Sequence, residues 1–134
     1  MNISSFDDLL LAARDQIEPQ RLLFVFASAD LPQDSTATQR DRFLAGQGGA
    51  LVPIMCVDKA PEEVIDFANL VKESSQFGQE WSIVFAAALS GMGGVAPTHE
   101  TTEKALQRMV DAIKAGTLGT FIPFNRQGQP VMLA

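Results

Sequence analysis

A glycine cluster is the first stretch whose residue types and spacing could support ligand binding or catalysis. It reads Gly91-Met92-Gly93-Gly94-Val95-Ala96 and directly follows an apolar run. The cluster fits G-x-G-x-x-G/A, in which glycine amides and a helix N-terminus bind dinucleotide phosphates. Pro97 and Thr98 delay the next helix until after the glycines, and Asn125 rather than an acid ends the next apolar strand. The spacing therefore favours a turn whose glycines adopt positive φ over a phosphate site.

A wider set of polar residues follows the ends of the predicted strands. If the sheet is parallel, these residues meet where open α/β sheets bind ligands. Two carboxylates, backbone amides and a guanidinium could then hold a small anionic metabolite, although the same residue types also form turns and caps. The candidate ligand-binding residues are Asp30, Asp58, Ser90, Gly91, Gly93, Gly94, Thr98 and Arg126.

The sequence has a single histidine and a single cysteine, which limits the metal and thiol chemistry it can support. His99 lies in the first turn of a predicted helix, and we expect it at the surface. Cys56 lies in the middle of a predicted strand, and we expect an inert core thiol. One histidine excludes a multi-histidine metal site, and no nucleophile elbow, P-loop or C-x-x-C pattern occurs. We predict no catalytic residues, no metal and no cofactor.

The elements that must position these residues alternate along the chain. Helical periodicity and continuous apolar runs predict helix, strand, weak helix or ordered loop, strand, helix, strand, helix and hairpin. Their ranges are 6–16, 21–32, 34–49, 50–59, 61–78, 81–89, a start at 98 or 101 through 116, and 120–133.

Local signals support these bounds. Ser5 predicts a cap for the first helix, whose buried face would extend to Ile17. Pro53 places the second strand at a sheet edge or beside a bulge, because proline lacks an amide donor. Asn125 and Gly128 suit a type I turn followed by a left-handed residue in the last hairpin.

The alternation predicts one domain over 1–134, an α/β layered sandwich with three to four helices and a mixed sheet of about five strands. The alternative is an α+β fold in which the helices cover one face of an antiparallel sheet. At 134 residues, a single core is large enough to need no disulfide or metal.

Composition excludes several classes of partner. The net charge is −6 and no basic stretch occurs, which disfavours nucleic acid. The apolar runs are too short to span a membrane, and no signal peptide is evident. A single cysteine agrees with a reducing compartment, so we expect a cytoplasmic protein.

Three stretches, FDDLLLAARDQIEPQRLLFVFASADLP, GGALVPIMCVDKAP and FIPFNRQGQPV, resemble a family of small, uncharacterised proteobacterial proteins. Members are sometimes loosely labelled as the alpha subunit of ribonucleotide reductase. That enzyme class needs a radical-carrying cysteine and a redox-active cysteine pair, and Cys56 alone cannot supply them. The sequence is therefore inconsistent with a ribonucleotide reductase catalytic subunit.

Two functions follow from these observations. The leading hypothesis is a non-enzymatic protein that binds a protein partner or a second copy of itself, as a homodimer, through an edge strand or an apolar helix face. The alternative is a small-metabolite or phosphate-binding domain, with or without enzymatic activity, that uses the strand-end loops and the 90–94 glycine loop.

Overall fold

The computed structural model describes residues 5–30, 37, 50–78, 80–115 and 121–131. Within that part, the chain is a mixed α/β protein with three α-helices and one four-stranded antiparallel sheet. Apart from residue 37, the segment 34–49 predicted as a weak helix or loop lies outside the described residues. The elements are α1 (Phe6–Arg14), β1 (Gln20–Asp30), β2 (Ala50–Lys59), a 3₁₀ turn (Pro61–Glu63), α2 (Phe67–Ser75), β3 (Ile83–Ser90), α3 (His99–Ala115) and β4 (Ile122–Phe124).

The strand order is β2-β1-β3-β4, and each neighbouring pair is antiparallel. The prediction of a mixed sheet is therefore wrong for the described strands. β2 and β3 do run in the same direction and are joined through α2, as the alternation suggested. However, β1 is inserted between them and pairs with both, so the parallel strands never bond to each other.

Two apolar clusters lie against the sheet because side chains alternate along β1. The even-numbered β1 residues Leu22, Phe24 and Phe26 pack with side chains of α1 and α2. The odd-numbered residues Leu23, Val25 and Ala27 pack with side chains of α3. The alternative prediction was right about the antiparallel sheet, but the helices divide between two clusters.

Aromatic rings form the centre of the first cluster. The Phe6 ring lies 5.7 Å from the Phe24 ring, 4.9 Å from the Phe67 ring and 5.4 Å from the Phe124 ring, centroid to centroid. These contacts join α1, β1, α2 and β4. Burial of these large rings is a main source of the apolar stabilisation here.

The first helix begins as predicted and ends earlier than predicted. The Ser5 hydroxyl accepts the Asp8 amide at 3.3 Å, which confirms the cap. The helix ends at Arg14, so Ile17 lies beyond it and is 98% exposed. The expectation that Ile17 continues the buried face was wrong for this reason.

The segment predicted as one helix over 61–78 is divided. A 3₁₀ turn covers Pro61–Glu63, and α2 begins only at Phe67, where the Asp66 carboxylate accepts the Asn69 amide at 2.8 Å. Extended backbone at Val64 separates the two and lets that side chain enter the core. The aspartate cap therefore sets the start of the helix.

The strand and hairpin signals are confirmed at their positions. Pro53 lies on the edge strand β2 and beside a register shift, since Phe26 opposes Met55 while Ala27 opposes Pro53. In the last hairpin, the Gly128 amide donates to the Asn125 carbonyl at 3.1 Å, and Gly128 has a φ of 78°. The prediction of about five strands is not confirmed, because the described part of the return arm forms no strand of its own and meets β4 at an isolated bridge between Phe124 and Pro130.

Candidate functional site

The antiparallel sheet separates the predicted ligand residues into two groups. Gln20 opposes Ser90, and Leu23 opposes Asp58. The edge of the sheet where β1 begins, here called the Gln20 end, therefore holds Asp58, Ser90 and the glycine cluster that follows Ser90. The end of β1 lies on the other side and is called the Asp30 end. Because antiparallel strands finish at alternate ends, the eight candidates do not form one site.

The Asp30 end holds two of the other candidates, Asp30 and Arg126. Asp30 pairs through its backbone with Ala50, and its side chain lies outside the described residues. The Arg126 guanidinium donates to the Trp81 carbonyl at 3.0 Å and lies 4.5 Å from the Trp81 ring centroid. Arg126 therefore ties the hairpin to a buried tryptophan.

The glycine cluster forms a tight turn that closes on itself. Met92 and Val95 exchange two backbone hydrogen bonds, of 2.9 Å and 3.0 Å. Between them, Gly93 and Gly94 have φ values of 59° and 79°, the pair of positive angles that a two-residue type I′ turn requires. α3 begins only at His99, so no glycine belongs to its first turn, as dinucleotide binding would require.

The Gly91 and Gly94 amides of this turn already have partners within the chain. The Gly91 amide donates to the Pro19 carbonyl at 2.8 Å. The Gly94 amide donates to the Glu18 carboxylate, also at 2.8 Å. The turn therefore binds an anion, but the anion is a side chain of the same protein. Sequence reasoning missed Glu18, which lies 76 positions away from Gly94 and has no motif around it.

Ser90 and Thr98 also have internal roles. Gln20 donates from its side-chain amide to the Ser90 hydroxyl at 3.0 Å. The Thr98 hydroxyl accepts the Thr101 amide at 3.1 Å and donates to the Thr101 hydroxyl at 2.9 Å. Thr98 is thus the cap of α3, which decides between Thr98 and Thr101, the two caps that the sequence allowed.

Asp58 belongs to an ion-pair network at the Gln20 end. The Arg21 Nε atom donates to Asp58 at 2.6 Å, and the other branch of the guanidinium reaches Glu63 at 3.2 Å. Beside it, Lys59 pairs with Glu73 at 2.9 Å. The network joins β1, β2 and the 3₁₀ turn. It neutralises the charged residues that end β2.

Glu63 is the residue of this network whose pKa is shifted. Its carboxylate accepts the Ala60 amide at 2.8 Å. That hydrogen bond is the largest cause that holds the pKa of Glu63 below its ordinary value of 4.5, with help from the charges of Arg21 and Lys59 and against desolvation. Because its pKa is lowered, Glu63 stays ionised further into the acid range than an ordinary glutamate and keeps its roles as a cap and ion-pair partner there.

The two residues with reactive side chains lie at the surface. His99 is 82% exposed and its Nε2 lies 2.9 Å from Glu103, which confirms the prediction of a surface histidine. Cys56 is exposed, so the expectation of a core thiol was wrong. It opposes Val25 on the α3 side of the sheet and lies on the edge strand β2.

The described residues contain no group of three or more histidine, cysteine, aspartate or glutamate side chains arranged to hold a metal ion. None of the described helices is both long and apolar enough to cross a membrane.

Among the described residues, exposed apolar side chains include two groups at the margins of the sheet. One is the outer edge of β2, with Val52 and Cys56 exposed. The other surrounds the glycine turn, where Ile17, Met92 and Val95 are exposed. The bonds from Gly91 and Gly94 to the segment Glu18–Pro19 hold these three side chains at the same end of the sheet.

Comparison with known proteins adds no family to this description. No protein-family model matches the chain, and neither the curated proteins nor the solved structures gave a match to it. The resemblance to small proteobacterial proteins therefore stays a prediction.

Proposed function

We propose that this protein acts by binding another protein chain along the outer edge of β2, in the cytoplasm, and not by catalysis. One observation carries the proposal. β2 is a ten-residue strand whose outer backbone groups pair with no strand among the described residues. Such an edge is a template for a further strand, because its amides and carbonyls point outward in register.

The composition of β2 supports this role. Natural edge strands that must stay unpaired carry charges or prolines, are bulged or short, or are covered. The stretch from Ala50 to Val57 contains no charged residue, and its interruptions are Pro53 and the adjacent bulge. Because Pro53 has no amide to donate, the outer ladder of β2 is interrupted there and lies on either side of it, at 50–52 and 55–59.

The opposite edge of the sheet differs in each of these respects. β4 has only three residues, one of which is Pro123. Its outer side meets the return arm of the hairpin at the Phe124–Pro130 bridge, and the Val131 amide donates to the Pro123 carbonyl at 3.0 Å. Of the two edges of the described sheet, β2 is the one that offers a long ladder.

The placement of the helices would also leave the edge of β2 available to a partner. We propose that the two apolar clusters are the two interfaces of a layered sandwich, with α1 and α2 over one sheet face and α3 over the other. Both faces would then be covered, which would leave the outer edge of β2 as the surface for a partner. The glycine turn receives no such proposal, because Glu18 occupies its Gly94 amide.

Photo-crosslinking tests the association. Cys56 would be replaced by p-benzoylphenylalanine in the full chain, expressed at native level, and Met92 would be replaced in a matched control. Both side chains are exposed, but Met92 lies at the glycine turn instead of on β2. We expect discrete protein adducts from position 56 and none of the same mass from position 92. A chain that gives no protein adduct from position 56 would refute the proposal.

A further inference from the structure

We infer that the partner at the edge of β2 is a second copy of this chain, whose β2 runs antiparallel to the first across a two-fold axis. This inference rests on the association proposed above. It joins two four-stranded antiparallel sheets into one continuous sheet.

Charge favours a neutral, apolar partner at this edge. The chain carries a net charge of −6, so two copies repel each other at long range. The edge itself is neutral: Asp58 is paired with Arg21 and Lys59 with Glu73 inside the same chain. A basic peptide therefore finds no unpaired carboxylate at the end of β2, whereas a copy of β2 meets no repulsion there.

The exposed side chains of β2 lie on both faces of the sheet. Cys56 opposes Val25, which belongs to the α3 cluster. Val52, which is 41% exposed, opposes Ser28, which lies on the other face because side chains alternate along β1. The β2 strand of a second copy places uncharged side chains beside Val52 on one face and beside Cys56 on the other. Both side chains would then be shielded from water.

Closure limits the assembly to two copies. Antiparallel pairing of a strand with its own copy is isologous, since each chain uses the same surface. Once the two β2 edges are paired, the outer edges of the joined sheet are the two short β4 strands with their hairpin arms. These edges offer no long ladder, so the assembly stops at the dimer.

The first test is the mass of the full chain in solution, measured by analytical ultracentrifugation over a range of concentrations and in the presence of a thiol reductant. We expect a dimer in the wild type. Cys56→Lys and Val52→Lys each place two new charges in the interface, and each should raise the dimer dissociation constant by about tenfold or more. Met92→Lys is the matched control and should leave the constant unchanged.

Hydrogen exchange provides the second measurement and does not need a variant. Amides of residues 55–59 that point away from β1 should become protected as the wild-type concentration rises, while β1 amides stay protected throughout. A wild type that is monomeric at all concentrations, with fast exchange at these amides, overturns the inference. A dimer weakened by Met92→Lys and unaffected by the two β2 variants also overturns it.

The two proposals fail in different ways. A monomeric purified chain that still gives adducts with another protein from position 56 contradicts the second copy and leaves the association intact. A chain that is monomeric and gives no adduct contradicts both. Circular dichroism and urea unfolding of each lysine variant verify that the altered mass does not come from unfolding.

Discussion

The glycine turn gives the sharpest test of the structure through the variant Gly91→Ala. A Cβ atom at Gly91 would lie 2.1 Å from the Val95 carbonyl oxygen, and real Cβ contacts are essentially never shorter than 3.0 Å. The oxygen must therefore move by roughly 1 Å. That oxygen accepts the Met92 amide, and displacing its peptide group opens the turn that this bond closes together with the bond from the Val95 amide to the Met92 carbonyl, each worth about 1 kcal/mol. We expect the free energy of unfolding to fall by about 2 kcal/mol.

Gly93→Ala is the matched control for this experiment. A Cβ atom at Gly93 has nothing within 4 Å, and the cost comes only from its φ of 59°. That cost is about 1 kcal/mol. Urea unfolding followed by tryptophan fluorescence measures both variants. If Gly91→Ala is no more destabilising than Gly93→Ala, the closed turn is not the structure in solution.

Three further predictions concern residues near the predicted site. Thr98→Ala removes the cap of α3 and should lower the free energy of unfolding by about 1 kcal/mol, measured in urea. Because the pKa of Glu63 is lowered from 4.5, its carboxylate stabilises the fold above that pH, and the contribution is lost as the pH falls through the lowered pKa. Glu63→Gln should therefore differ from wild type in urea midpoint near neutral pH, and the difference should shrink in acid. Arg126→Ala should shift the Trp81 fluorescence and destabilise by less than about 1 kcal/mol, since Arg126 as a whole is an exposed residue.

Two contacts at the Gln20 end could not be read from the sequence. Glu18 reaches the Gly94 amide, and Arg21 joins Asp58 to Glu63. Nothing near these residues marks them, because each contact depends on strands that meet across the sheet. The sequence holds one indirect sign of the Arg21 network. Arg21 stands at the start of the apolar run of β1, and Asp58 stands at the end of the apolar run of β2. That signal has no meaning until the two strands are known to be antiparallel.

The edge position of β2 shows both the value and the limit of local signals. Pro53 predicted an edge or a bulge, and the structure has both. The same sequence predicted a buried thiol at Cys56, because an apolar run gives no sign of how far a helix covers it. Coverage depends on where α3 crosses the sheet, which is a tertiary property.

What the sequence alone determined is local. The cap at Ser5 and the turn from Asn125 to Gly128 depend on neighbouring residues and were predicted at the right positions, and the cap of α3 was narrowed to Thr98 or Thr101. The tertiary structure alone decided strand order and direction, because the insertion of β1 between β2 and β3 is set by long-range packing on both of its faces. That insertion separated Asp30 from the glycine turn and left β2 as the long open edge of the described sheet.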